Sequence, residues 1–343
     1  MSSRKLSRQQ QWRIEKIQQD RSQRAQRREQ HLNDQQGETT AATPGEEEHG
    51  LIIANFGATA VVESSSGTTC HCSVRQNLGR LVVGDRVVWQ RVHATSGVIS
   101  ALTPRHTLLS APDSSGAMRP VAANVEQIII VMAPLPLYSE LLIDQYLVAA
   151  ELTQIPPLIL LNKCDLISSS EEEAFHALIL RYRHIGYPLL PTSIHNLSSL
   201  DQLWQQLAGK TSVFVGQSGV GKSSLINRLR PDLSIATTPL SDRSNLGQHT
   251  TSTSQLYHLP QQRGGGTLID SPGVRNFSLW PVDATTLLHG FIEMRPFIGH
   301  CRFRNCRHQQ EPDCAIKNAV TAGEISTTRL MSYQQMVATM TAE

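Results

Sequence analysis

No run of the chain approaches the ~20 apolar residues that a membrane-spanning helix requires, and residues 1–31 are strongly charged where a secretory leader would carry an apolar core. These absences predict a soluble, cytoplasmic protein with no membrane partner. A disulfide framework is also missing. Of the six cysteines, Cys70, Cys72 and Cys164 are scattered, while Cys301, Cys306 and Cys314 cluster beside a histidine, a pattern that suits metal binding in a reducing compartment. Nor is there a large charge of one sign overall, since the net charge is only +2.

The charge that is present is unevenly placed. Residues 1–31 hold nine basic side chains (Arg4, Lys5, Arg8, Arg13, Lys16, Arg21, Arg24, Arg27, Arg28) against three acids (Glu15, Asp20, Glu29), so a basic arm precedes a mildly acidic body. Such an arm points to a polyanionic partner; a solvated, disordered tail is the plainer reading. Residues 1–49 have too little apolar content for a core, although 4–32 could form a helix on a partner.

At 343 residues, 39% of them hydrophobic, the chain has room for two or three domains. From residue 50 to about 105, short β-type runs separated by Gly57, Gly67, Gly79, Gly84 and Gly97 suggest a five-stranded barrel of the oligonucleotide-binding type. Within it, alternation puts Cys70 and Cys72 on one strand face, which favours core packing over a metal site. Residues 106–120, with Pro112, Gly116 and Pro120, read as a linker. Residues 121–283 alternate apolar strand patterns with helical ones, as a mainly parallel sheet covered on both faces requires, and place ligands at the carboxyl ends of its strands. Residues 284–343 hold the cysteine cluster and then helices, with Ala319, Ile325, Leu330, Met336 and Val337 as packing positions.

The chemistry is concentrated in the central segment. An apolar run ending at Val215 breaks into Gly216, Gln217, Ser218, Gly219, Val220, Gly221, Lys222, Ser223 and Ser224, then continues as a helical pattern. This is a phosphate-binding loop. Its glycines let successive N–H groups turn toward a polyphosphate, Lys222 supplies a point charge to the β and γ phosphates, and the Ser223 hydroxyl can ligate Mg²⁺. Asn162, Lys163, Cys164 and Asp165 follow another strand pattern. A carboxylate there can accept from the adjacent ring N–H and amino donors of guanine, which adenine does not offer. Thr192 and Ser193, after the next strand, could bring backbone N–H groups near guanine O6. Asp270-Ser271-Pro272-Gly273 ends a further strand, so Asp270 can join the Mg²⁺ shell and the Gly273 N–H can reach the γ-phosphate. In the Ser/Thr/Asp-rich loop between these elements, Thr251, with Thr250 as the alternative, would complete the Mg²⁺ shell only with a triphosphate bound.

The guanine motif precedes the phosphate loop here, whereas GTPases ordinarily begin with that loop. The order implies a circular permutation. With a barrel before it and a Cys/His cluster after it, the chain resembles the RsgA (YjeQ) family of small-ribosomal-subunit-dependent GTPases over residues ~50 to ~320. The resemblance implies three modules: an N-terminal OB-type β-barrel, a central circularly permuted α/β P-loop GTPase domain, and a C-terminal α-helical zinc-binding domain. It further implies GTP hydrolysis to GDP, stimulated by the small ribosomal subunit during its late maturation, with contact to rRNA; a monomer is expected, though the sequence itself does not give the oligomeric state. Where many GTPases orient water with a Gln after Asp-x-x-Gly, this chain has Val274. The resemblance assigns that role to His249, so the expected catalytic set is His249, Lys222 and Thr251.

Cys301, Cys306, His308 and Cys314 offer three thiolates and an imidazole within fourteen residues, soft donors that suit one closed, structural Zn²⁺; His300 is the alternative nitrogen ligand. Arg302, Phe303, Arg304 and Arg307 stand inside that loop, as RNA phosphates and an unstacked base would favour, or as any solvated loop face would. Two rival functions stay open: a GTP-binding RNA scaffold without hydrolysis, and a GTP-dependent RNA-modifying enzyme. The second lacks any further acid/base or nucleophile constellation.

Overall fold

The computed structural model of the chain describes residues 12, 16–21, 23, 46–75, 78–113, 116–136, 138–233, 254–270, 277 and 279–341. Five strands form the barrel: β1 (Glu47–Asn55), β2 (Thr59–Ser64), β3 (Thr69–Val74), β4 (Arg86–His93) and β5 (Ser96–Leu102). Their order is β1-β2-β3-β5-β4, and β1 pairs again with β4 to close the ring. β1 starts at Glu47, slightly before the expected barrel boundary, because Glu47 to Leu51 are needed for that closure.

Alternation fills the barrel interior with Ile52, Ala60, Val62, Val87, Trp89 and Ile99. Cys70 and Cys72 are each 1% exposed and belong to this core, as the sequence pattern suggested. Burial pushes the Cys72 thiol up to about 12, as befits a neutral packing residue. The Trp89 indole leaves no room for a side chain at Gly97, where a Cβ would lie 2.7 Å from the ring. Outside the barrel, residues 16–21 are helical, and Arg21 reaches back to donate to the Ser100 carbonyl at 3.1 Å and to pair with Glu47.

The stretch expected to be a linker is folded. β6 (Leu108–Pro112) and β7 (Met118–Ala123) make an antiparallel hairpin that buries Leu109, Ala111 and Ala122. Both strands of a two-stranded sheet are edges, so Pro112 and Pro120 cost no central ladder bond, while Gly116 occupies the turn with φ +78°. The residues that signalled a linker are turn and edge residues instead. The Ala123 N–H fastens this hairpin to the barrel by donating to Val83 O at 2.9 Å, and just before the hairpin Arg105 donates to both oxygens of the fully buried Asp85, at 2.7 and 2.8 Å.

The central sheet contains β8 (Gln127–Met132), β9 (Pro157–Leu161), β10 (Leu189–Pro191), β11 (Thr211–Val215), β12 (Ser254–His258) and β13 (Thr267–Asp270). Its order is β10-β9-β8-β11-β13-β12, parallel except for the antiparallel edge strand β12. Every residue of β8 is buried, because both faces are covered. Ile128, Ile130 and Met132 face helices α1 (Glu140–Thr153) and α2 (Glu172–Ile185) in one layer. Ile129 and Val131 face α3 (Leu197–Leu207) and α4 (Lys222–Leu229) in the other. α3 begins a turn earlier than its apolar pattern suggests, since the Asn196 side chain caps it by accepting from Ser199 N at 3.1 Å. At its far edge β12 pairs with β1, so barrel and central domain share one eleven-stranded sheet.

The last module packs α5 (Ala284–His289), α6 (Ala315–Thr321) and α7 (Thr327–Thr341) around Phe291, Met294, Ile316 and Tyr333. Of the packing positions expected there, Ala319, Ile325, Leu330 and Met336 are buried and Val337 packs against them half-buried. Arg329 of α7 is 1% exposed and bridges the modules. Its guanidinium donates to Asp144 of α1 at 2.6 Å and to both oxygens of Glu293 at 2.6 and 3.2 Å, and lies 4.4 Å from the Phe291 ring. Tyr182 of α2 donates to the same Asp144 oxygen at 2.8 Å. No helix among the described residues is long and apolar enough to cross a membrane.

Replacing Arg329 with Met would leave two buried carboxylates without their cation, a loss of about 3–5 kcal/mol. The expected outcome is a clear shift of the unfolding midpoint to lower denaturant; an unchanged midpoint would show that the bridge does not hold the modules together.

Candidate nucleotide and metal sites

Parallel strands deliver their carboxyl ends to one edge, and there the sequence motifs meet. Asn162 follows β9, its N–H donating to Met132 O at 2.8 Å. Its side chain, 2% exposed, donates from Nδ2 to Val220 O at 2.9 Å, which ties the guanine motif to the phosphate loop. Lys163, in the left-handed region at φ +57°, sends Nζ to Gly219 O at 2.7 Å and Leu135 O at 3.2 Å. Burial lowers the pKa of that ammonium. Cys164 N–H is held by Thr192 O at 3.2 Å, and Asp165 remains exposed in the short helical turn Cys164–Leu166.

Thr192 holds this loop through its carbonyl, while Ser193 bonds to the start of α3. Thr192 N–H donates to Leu161 O at 2.7 Å and Ser193 N–H to Ser199 Oγ at 3.1 Å. Their own N–H groups are therefore engaged within the protein, contrary to the expectation that they face guanine O6. Asn162 Oδ1 and Thr192 Oγ1 are buried polar atoms without a hydrogen-bond partner among the described residues.

In the phosphate loop the glycines are required by space as well as by φ. A Cβ on Gly216 would stand 2.2 Å from Val131 O, and one on Gly221 would stand 2.4 Å from Asn162 Nδ2. Lys222 Nζ spans the loop, donating to Gly216 O and Gln217 O at 2.6 Å each. α4 starts from Gly221 with no side-chain cap, so its first N–H groups point toward the loop mouth. Asp270, 8% exposed, ends β13, which runs parallel beside β11. The Asp270 carboxylate and the Ser223 hydroxyl are hard oxygen donors at the same sheet edge, a donor set that fits Mg²⁺. His249, Thr250, Thr251, Gly273 and Val274 lie outside the described residues.

A cavity of about 690 Å³ opens between the loop after β10 and α4, lined by Ile194, His195, Leu197, Ser224, Asn227 and Arg228. Motif reading singled out only Ser224 of these. The spacing of 224, 227 and 228 along one helix face was the available signal.

The C-terminal cluster is compact. The candidate ligand atoms of Cys301, Cys306, His308 and Cys314 all lie within 4.8 Å of one another. Cys301 Sγ is 3.9 Å from Cys314 Sγ, and His308 Nδ1 is 3.6 and 3.3 Å from these two sulfurs. Sulfurs bound at about 2.3 Å in a tetrahedron are about 3.8 Å apart, so the cluster has the dimensions of a four-coordinate metal site. His308 is buried and Nδ1 faces the sulfurs, whereas His300 is exposed and outside the group. Gln334 of α7 donates to His308 O at 2.6 Å, holding the loop on the helix. Phe303 is 41% exposed, with the Arg302 guanidinium 5.6 Å from its ring centre, and Arg304 and Arg307 are exposed beside it.

A parallel α/β sheet with a phosphate loop docked on a guanine motif that precedes it in the chain defines a circularly permuted GTPase. The RsgA GTPase family model matches residues 102–280. A small ribosomal subunit biogenesis GTPase RsgA from Hahella chejuensis is 49% identical over 97% of this chain and 95% of its own length. One of the same description from Alcanivorax borkumensis is 48% identical over 99% and 97%. The crystal structure of YjeQ from Thermotoga maritima superimposes with a TM-score of 0.72 at 31% identity, covering 87% of this chain and all of that one. YloQ, a circularly permuted GTPase, gives 0.68 at 28% identity over 89% and 98%. The chain belongs to the RsgA GTPase family.

Gly221→Ala would set a methyl group against Asn162 Nδ2 and strain a left-handed backbone. Titration with a fluorescent GTP analogue should show affinity reduced at least about tenfold; retained affinity would mean the two loops need not touch.

Proposed function

We propose that the chain is a Mg²⁺-dependent GTPase that binds the small ribosomal subunit, acts in its late maturation and turns GTP over faster when bound there. The observation that carries this reading is the Asn162–Val220 contact, which joins guanine recognition to phosphate binding in one site. Asp165 selects guanine, with Asn162, Lys163 and Cys164 shaping its loop and Thr192 holding it, while Ser193 bonds to the start of α3. The run from Gly216 to Ser224 cradles the phosphates, and Gly273 N–H meets the γ-phosphate. Lys222 balances charge that develops as water attacks. Ser223, Asp270 and Thr251 would hold Mg²⁺, which when bound supplies further neutralisation of the phosphate oxygens. His249 orients the attacking water.

Cys301, Cys306, His308 and Cys314 would hold Zn²⁺ as a closed structural site. Burial raises the Cys306 thiol to about 12, so a bound cation is what makes it a thiolate donor. The basic arm, the barrel and the exposed Arg302, Phe303, Arg304 and Arg307 are the surfaces for rRNA. The domains divide as an arm to about residue 45, the barrel to 105, the connecting hairpin to 123, the nucleotide domain to 283 and the zinc module beyond. The protein acts as a monomer in this reading, and a ribosome-bound role supports a cytoplasmic location.

The deciding assay measures GTP turnover with and without small subunits. Stimulated release of phosphate is expected; GTP binding without turnover would make the chain a scaffold. Within that assay, His249→Ala should retain nucleotide affinity and lose at least about tenfold of the stimulated rate. Undiminished turnover would remove His249 from the mechanism. Cys314→Ser should release zinc measured by atomic emission, and an unaltered zinc content would exclude the assigned ligand set.

A further inference from the structure

β12 is only five residues long, yet it touches three functional parts of the molecule. On one side Gln255 is paired with Ala54 of the barrel; on the other the same residue is opposite Asp270 of β13. At its far end His258 is a junction. Its Nε2 lies 2.6 Å from Glu63 Oε2 on barrel strand β2. Its carbonyl accepts from Arg230, the residue that ends α4, the helix begun by Lys222 and Ser223.

The backbone ladder between barrel and central sheet is short. Among the described residues, only Ala54 with Gln255 and Asn55 with Ser254 are in register across it, both at the start of β12. A ladder of two pairs can act as a pivot, and the His258–Glu63 contact stands at the opposite end of the strand, where it prevents rotation. With both ends fastened, a displacement of the barrel must carry β12 with it. β12 in turn is bound to the strand bearing Asp270 and, through Arg230, to the phosphate helix. Packed strands and helices move as units between discrete arrangements, so such a connection can transmit a change at the barrel to the nucleotide edge.

We propose that His258, acting through Glu63, is a positioning residue that couples the barrel to the hydrolytic centre, so that a polyanionic partner seated on the barrel alters the placement of Asp270 and of the phosphate helix. This rests on the reading of the chain as a subunit-stimulated GTPase. Among the described residues the His258 and Glu63 side chains bond to each other and to none of the groups assigned to nucleotide, magnesium or zinc, and the His258 side chain is half exposed, so their loss leaves the fold and the basal reaction in place.

The test compares His258→Ala, Glu63→Gln, the double variant and the exchanged pair His258→Glu with Glu63→Lys in the full chain. Basal turnover, GTP affinity, sedimentation with small subunits and subunit-stimulated turnover are measured for each. Basal turnover, GTP affinity and co-sedimentation should stay within about twofold, while stimulation falls roughly 5- to 20-fold. The double variant should lose no more than either single one, and the exchanged pair should recover stimulation, which a merely structural role would not produce. Full stimulation in His258→Ala, additive losses in the double variant, or a loss matched by weaker sedimentation would overturn the coupling alone. Absence of stimulation in the unsubstituted chain would overturn the functional reading and this inference with it.

Discussion

A single buried hydrogen bond, from Asn162 Nδ2 to Val220 O, fixes the geometry on which the nucleotide site depends. It joins two loops 58 residues apart in sequence, and Lys163 adds a second fastening through Gly219 O. The parallel ladder β9-β8-β11-β13 makes the contact possible, because only a parallel arrangement brings the carboxyl ends of strands from distant parts of the chain to one edge. Chain order is then irrelevant to site assembly. The permutation changes which strand is made first and leaves the meeting of guanine loop, phosphate loop and Asp270 strand intact.

The sequence made much of this legible where chemistry restricts the residue types. A phosphate loop tolerates few substitutes for Gly216, Gly221 and Lys222, since a Cβ at either glycine would collide with its neighbours. The four candidate metal donors were legible for the same reason, and the structure gathers His308 with the three cysteines while His300 is exposed outside the group. Packing was harder to read. Pro112, Gly116 and Pro120 marked a linker by composition, yet a two-stranded hairpin accommodates all three. The availability of backbone N–H groups is a tertiary matter: those of Thr192 and Ser193, free to face a ligand by sequence, are taken up by Leu161 and Ser199. The role of Arg329 was invisible for a related reason: its partners Asp144 and Glu293 lie far away in sequence, and nothing local distinguishes a buried arginine from a solvated one.

Three different physical devices hold the modules around the nucleotide edge. The barrel is joined by a shared strand ladder, the hairpin by the Ala123–Val83 backbone hydrogen bond, and the C-terminal module by the Arg329 bridge. A buried cation that answers two carboxylates from different modules admits few alternative dockings, since any shift strands a charge away from water. The C-terminal module is thereby aligned to α1 and α2, the helices that cover one face of the nucleotide sheet.

The closed barrel and its fusion to β12 have a consequence for how the protein behaves at high concentration. Open strand margins invite neighbouring chains to add on, the commonest route to ordered aggregation. In the large sheet, β4 returns to β1 and the start of β12 pairs with β1, so among the described residues the terminal strand is β10, three residues long and ending in Pro191. Such a short, proline-terminated margin is a poor template for a foreign strand, and Pro112 and Pro120 interrupt the two open strands of the separate hairpin in the same way.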